Sequence, residues 1–184
     1  MKKGAGFIQQ GELETKELII LDGCAASRIY DTEGNAVCVG LYVGPYIVTP
    51  NIARTRGGMS LVSVEAMTDS LVAQMDSNAL TDLMIASEPI RDWANRVLRE
   101  ELGRKADREW CLAALGGSDR LAWFRERYPR HEEIFVHSLI ASFLGITPVT
   151  MSRLRSSGRT ISILASSATR CWLYASLVTP TAAL

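Results

Sequence analysis

Residues 137–156, HSLIASFLGITPVTMSRLRS, admit few local structures. Apolar side chains recur at helical spacing through Ile140, Ala141 and Leu144, which predicts a first helix over 136–144. Gly145 can take the positive φ of a tight turn. Thr147 is suited to cap a second helix, and Pro148 to its first position, where a missing N–H costs nothing. Met151 and Leu154 then face back toward the first helix, and Ala141 is small enough for two helices to cross closely. The outward positions of the second helix are Val149, Thr150, Ser152, Arg153 and Arg155. Hydroxyls and arginines suit phosphate oxygens and guanine edges. The segment reads as a helix-turn-helix, although any helical hairpin with a capped second helix would share its spacing.

Upstream, the period of the apolar pattern divides the chain. KELIILDG (16–23) is strand-like and ends in a turn dipeptide, and 25–44 reads as a hairpin turning at Asp31-Thr32-Glu33-Gly34-Asn35. Residues 59–76 give two more strand-like runs, broken at Thr68-Asp69-Ser70. Short strands with turn signals at regular spacing predict a small antiparallel barrel or roll. From residue 77 the period becomes helical, with Ser77 as a plausible N-cap and Leu80, Leu83 and Met84 on one face. A long helix is predicted over 89–115. Its apolar stripe runs through Ile90, Trp93, Ala94, Val97, Leu98 and Leu102, and continues through Ala106, Trp110 and Ala113. Arg91, Arg96, Arg99, Glu100 and Arg104 lie opposite. The stripe either packs on the roll as core or pairs with a second copy of the chain as in a coiled coil. Gly116-Gly117-Ser118-Asp119 is a breaker and cap cluster, followed by a short amphipathic helix over 118–129 with Leu121, Phe124 and Tyr128 on one face.

The chain has 184 residues, a formal net charge of zero and a hydrophobic share of 47%. Neutrality argues against a purely electrostatic nucleic-acid coat but not against a local basic reading face. Cys24, Cys38, Cys111 and Cys171 are scattered, with no zinc or iron–sulfur spacing, so no metal or cofactor is expected. Met1-Lys2-Lys3 does not open a signal peptide, and a reducing cytoplasm is the default. The apolar stretch 160–184 is interrupted by Arg170 and Pro180, so no membrane span is expected. No nucleophile elbow, P-loop or metal-ligand pattern points to an enzyme.

IASFLGITPVTMSRLR (140–155) resembles the recognition motif of the Crp/Fnr family of bacterial transcription regulators. Residues 17–45 resemble that family's cyclic-nucleotide-type, cupin-like β-roll, and 63–84 the end of the roll and the helix after it. The resemblance covers roughly residues 2–156. It implies an α+β fold: an antiparallel β-roll (a double-stranded β-helix) over 1–88, a long dimerisation helix over 89–115, and a C-terminal helix-turn-helix domain over 116–157. The expected partners are a second copy of the chain, joined through Trp93, Val97, Leu98 and Leu102, and a palindromic double-stranded DNA operator read about one helical turn apart. RNA polymerase is a further partner of this class. Arg153 occupies the family's base-reading arginine position, and Thr147, Thr150 and Ser152 match its phosphate-contacting positions. Val149 stands where an acidic base reader is common and offers only a methyl contact. Arg155 is assigned to phosphate by geometry.

The effector region departs from the family. Cyclic-AMP binders carry a Gly-Glu pair and a later Arg-Ser or Arg-Thr, whereas GPYIVTPNIARTRGGMSLVSVEAM (44–67) has no Gly-Glu and places Met59 or Ser60 at the arginine position. The roll is expected to bind another small-molecule effector or none, with Tyr46, Ser60 and Ser63 as pocket candidates and Arg54 as a loop charge. His131 and His137 lie outside the roll, so no haem-sensor pattern is present, and His137 is expected to be exposed or capping. Relatives usually place a helix before the roll, and residues 158–184 carry no family motif and read as an atypical tail in which Trp172-Leu173-Tyr174 would favour association if exposed. The rival function is a ligand-binding or protein-interaction module that does not bind DNA.

Overall fold

The computed structural model describes residues 1–156, so the tail read from the sequence at 158–184 lies outside the described residues. The first 76 residues build strands β1 (Gly6–Ile8), β2 (Lys16–Asp22), β3 (Cys24–Tyr30), β4 (Ala36–Val43) and β5 (Tyr46–Ile47), then helix α1 (Asn51–Arg54). Strands β6 (Thr55–Arg56), β7 (Met59–Ser60), β8 (Ser63–Ala66) and β9 (Leu71–Asp76) follow. Antiparallel sheets in the orders β1-β8-β3-β4 and β5-β2-β9 enclose Ile8, Leu18, Ile20, Ala25, Tyr42, Val48 and Val64, and β6 and β7 form a short pair. This is the antiparallel roll that the strand spacing predicts.

Alternation places Leu18 and Ile20 of β2 inside and leaves Leu21 exposed. The Asp22-Gly23 turn carries the chain from one sheet to the other. Gly23 has φ +92°, and a Cβ there would lie 2.3 Å from Ser70 Oγ and 2.7 Å from Asp69 O, so only glycine fits. Strand β3 is buried along Cys24–Ser27 because both of its faces are covered. Ala25 faces the roll interior, while Cys24 and Ala26 join a second core with the C-terminal helices.

Helix α2 (Ser77–Ala86) is capped by Asp76, whose carboxylate accepts from the backbone of Asn78 at 2.9 Å and Ala79 at 3.2 Å. The sequence-based assignment of the cap to Ser77 is corrected by one residue; Asp76 ends β9 in the extended conformation that a cap needs. Helix α3 (Glu88–Ala114) carries proline in its first turn. Its apolar stripe is not the roll's core. Leu102 is 52% and Trp110 49% exposed, Trp93 is exposed, and Ile90, Ala94, Val97 and Leu98 are half-buried. The buried residues of α3 are Glu101 and Cys111. Arg104, placed opposite the apolar stripe by its spacing, lies half-buried over the Tyr46 ring at 5.0 Å and is paired with Glu101 at 3.1 Å.

Helices α4 (Gly117–Arg127), α5 (His131–Ile134), α6 (His137–Phe143) and α7 (Pro148–Ser156) complete the chain. Helix α4 begins at Gly117 without a side-chain cap, so Ser118 and Asp119 sit in its first turn rather than before it. Leu121, Phe124, Phe135, Ile140, Phe143 and Met151 form the core of this region and pack on Cys38 and Leu41 of β4. The Cys38 N–H donates to Ser142 Oγ at 2.9 Å. No described helix is long and apolar enough to cross a membrane.

Candidate nucleic-acid interface and effector cavity

The turn between α6 and α7 is held from three sides. Gly145 has φ +61°, and a Cβ there would lie 3.2 Å from Arg120 Nη1 and 3.3 Å from Leu112 Cδ2. Arg120 donates to the carbonyls of Leu144 at 3.0 Å, Leu115 at 2.9 Å and Leu112 at 2.8 Å, stapling the turn to the end of α3. Thr147 Oγ1 accepts the Thr150 N–H at 3.1 Å, the cap that its position predicts. The two threonine hydroxyls are also 2.9 Å apart, so each already holds one partner. Met151 is fully buried, and Leu154 packs beside it against the same core.

With that side of α7 buried, the other side is open. Val149 is 60% exposed, and Ser152, Arg153 and Arg155 are exposed, as is Thr147; Thr150 is half-buried. The two arginines differ. The Arg153 side chain has no hydrogen bond or ion pair among the described residues. Arg155 Nε lies 3.1 Å from Glu132 Oε1, and its Nη1 is 3.1 Å from His137 Nδ1. Glu132 is also gripped by Arg125 through Nε at 2.7 Å and Nη2 at 2.9 Å. The Arg125 hydrogen bonds, more than the charge of Arg155, hold the Glu132 carboxyl below its usual range. His137 is exposed. His131 is different: its ring lies among Phe124, Tyr128 and Phe135, and burial pushes its pKa below the ordinary 6.5.

A cavity of about 640 Å³ lies between the roll and α3. The roll contributes Ser27, Tyr42, Thr49 and Arg54, and α3 contributes Lys105, Arg108, Glu109 and Leu112. A buried hydrogen-bond chain runs along its wall. Ser27 Oγ is 3.1 Å from the Tyr42 hydroxyl, which is 3.0 Å from Thr49 Oγ1, and Thr49 donates to the Glu101 carboxylate. Burial raises the Tyr42 pKa despite these bonds, so the phenol stays neutral.

Of the four sequence candidates for this pocket, only Arg54 lines it. Ser60 turns away to donate to the Val62 carbonyl at 2.7 Å, Ser63 accepts from the Gln10 N–H at 3.0 Å, and Tyr46 stacks under Arg104. Arg54 is not a loop charge. It is 1% exposed, donates to the carbonyls of Thr49 and Lys16, and faces Glu17 at 3.6 Å and Glu14 at 3.7 Å. Burial lowers its pKa, and the two carboxylates counter that effect. Arg108, which the sequence reading passed over, donates to Cys38 O at 3.2 Å and Phe143 O at 3.1 Å and thus ties α3 to both the roll and α6. Ser27 gave a faint signal as a hydroxyl after the small run Cys24-Ala25-Ala26; Arg108 gave none on a helix rich in charge.

No sequence model of a known family and no curated protein matches the chain. Solved structures do. FixK2 from Bradyrhizobium japonicum superposes with a TM-score of 0.76 over 90% of this chain and 85% of its own, at 18% identity. A transcriptional regulator of the Crp/Fnr family from Eubacterium rectale gives 0.66 over 85% and 75%, also at 18% identity. A Crp/Fnr-family transcriptional regulator from Thermus thermophilus gives 0.63 over 85% and 82%, at 20% identity. The chain has the fold that these regulators share, a β-roll followed by a helical region.

Proposed function

We propose that the chain is a sequence-specific DNA-binding transcription regulator of the Crp/Fnr type that acts as a homodimer. The observation that carries this reading is the exposed face of α7. Among the described residues the Arg153 side chain has no partner there, beside Ser152 and Val149, on a helix whose reverse side is buried at Met151. An unpaired guanidinium on a rigid helix suits bidentate contact with guanine in a major groove. The exposed Trp93, Leu102 and Trp110 on α3 supply apolar surface for a second copy of the chain.

The cavity between roll and α3 is the effector site in this reading. Its two arginines, Arg54 buried and Arg108 half-buried, favour something other than a cyclic phosphate. Arg54 and Arg108 commit donors to protein carbonyls, and Arg54 already faces two carboxylates. The Arg54 Nε is buried without an acceptor among the described residues, but Glu14 and Glu17 beside the same guanidinium would repel an added phosphate.

Selection from a randomised duplex library, with wild type and Arg153→Ala in parallel, tests the function. The expected result is a palindrome with half-sites about one helical turn apart, lost in the variant. Recovery of no sequence by the wild type would favour a ligand-binding or interaction module instead.

A further inference from the structure

The two arginines on α7 are not equally available, and the reason lies on α5. Glu132 sits between Arg125 and Arg155. Its grip on Arg125 is bidentate, at 2.7 and 2.9 Å, whereas Arg155 receives one bond at 3.1 Å. That bond ends on Oε1, the oxygen already engaged by Arg125 Nη2. Arg155 is therefore the weaker claimant on a shared carboxylate. A phosphate group has the same charge sign and offers planar guanidinium two oxygens at once, which Glu132 does not.

We propose that Glu132 is an internal stand-in for a DNA phosphate: it occupies Arg155 in the free protein and must surrender it when the backbone docks. The inference rests on the DNA-binding reading above. Arg153 meets DNA as an open base reader, while Arg155 meets it by exchange. Arg125 keeps the carboxylate after the exchange, so no buried charge is stranded. The exchange lowers affinity for every duplex alike, because phosphate contacts carry no sequence information. Lower affinity for random DNA frees the protein to reach its operator, since non-specific sites are in vast excess.

The test is a duplex-binding titration by fluorescence anisotropy at fixed salt, on the selected operator and on a random 30-base-pair duplex. The full chain is used, as wild type, Glu132→Gln, Glu133→Gln, Arg155→Ala and the Glu132→Gln/Arg155→Ala double variant. Glu133→Gln makes the same charge change one residue away, on an exposed side chain. Glu132→Gln should tighten binding to both duplexes by roughly two- to fivefold, the range of an exposed ion pair. Glu133→Gln should tighten it less, through the long-range field alone. In the Arg155→Ala background, Glu132→Gln should add no more than Glu133→Gln does in wild type. Equal gains from Glu132→Gln and Glu133→Gln, a full gain that survives Arg155→Ala, or weaker binding by Glu132→Gln would each overturn the proposal. Weaker binding would make Glu132 a positioning residue for Arg155. Absence of DNA binding by every form would overturn the DNA reading itself, and this inference with it.

Discussion

Arg54 in the roll and Arg153 on α7 carry the same side chain in opposite surroundings. Arg54 is enclosed by two carbonyls and two carboxylates, and its task is to hold α1 against the start of β2. Arg153 is exposed and has no partner among the described residues. A guanidinium is costly to bury and is kept inside when its charge and most of its donors are answered; Arg54 leaves its Nε without an acceptor among the described residues. One left open on a rigid helix is available to something outside the chain. The comparison separates what maintains this fold from what the fold presents.

The largest effect expected from breaking the comparison is on stability. Arg54→Met should destabilise the protein by about 3–5 kcal/mol, because it leaves Glu14 and Glu17 without their shared cation and two carbonyls without a donor. Urea unfolding measures this, and a loss below about 1 kcal/mol would mean that the pair network contributes little. Arg153→Ala should leave the urea midpoint within error, since surface substitutions usually change stability by less than about 0.5 kcal/mol.

Next in size is the turn. Gly145→Ala forces a side chain into φ +61° and against Arg120 and Leu112, at a cost of roughly 1–2 kcal/mol. Thermal unfolding should register it, and DNA affinity should fall with it because α7 is aimed by that turn. An unchanged melting temperature would show that the turn adapts freely.

A smaller effect is expected from pH. The folded-state pKa of His131 is depressed by burial, so the unfolded chain binds more protons as pH falls through its ordinary value of 6.5. Stability from this group is complete above that value and is lost as pH falls toward the depressed folded-state pKa. His131→Phe should flatten the stability profile in that window. The Glu132 pair follows a different window: its carboxyl is depressed, and its contribution is lost only as pH falls below the ordinary 4.5. Unfolding followed between pH 7 and 5 separates the two. A slope that persists in His131→Phe would assign the titration to another group.

What the sequence made legible follows the range of the interactions. Gly145, Thr147 and Pro148 state local backbone requirements, and the turn they predict is the one that forms. The 25–44 hairpin and the interruption at 68–70 were readable for the same reason, since turns are set by residues close in sequence. Capping was less sharp: Asp76 and Ser77 are both good caps, and only the end of β9 chooses between them. The cavity was largely hidden. Its wall joins Ser27, Tyr42 and Thr49 to α3, and the carbonyl partners of Arg54 and Arg108 reach as far as 38 and 70 residues away. Nothing in the local pattern distinguishes an arginine bound for Lys16 O from one bound for solvent. The same blindness hid Glu132, whose role depends on α4 and α7 converging on α5.

The most direct measurement is a titration of wild type and Arg153→Ala on the selected operator and on a duplex changed at single base pairs. Arg153→Ala should cost about 1–3 kcal/mol on the operator and abolish discrimination at one base position while leaving the others intact. An equal loss on every duplex would contradict the account, because Arg153 would then touch phosphate alone and α7 would not read sequence through it.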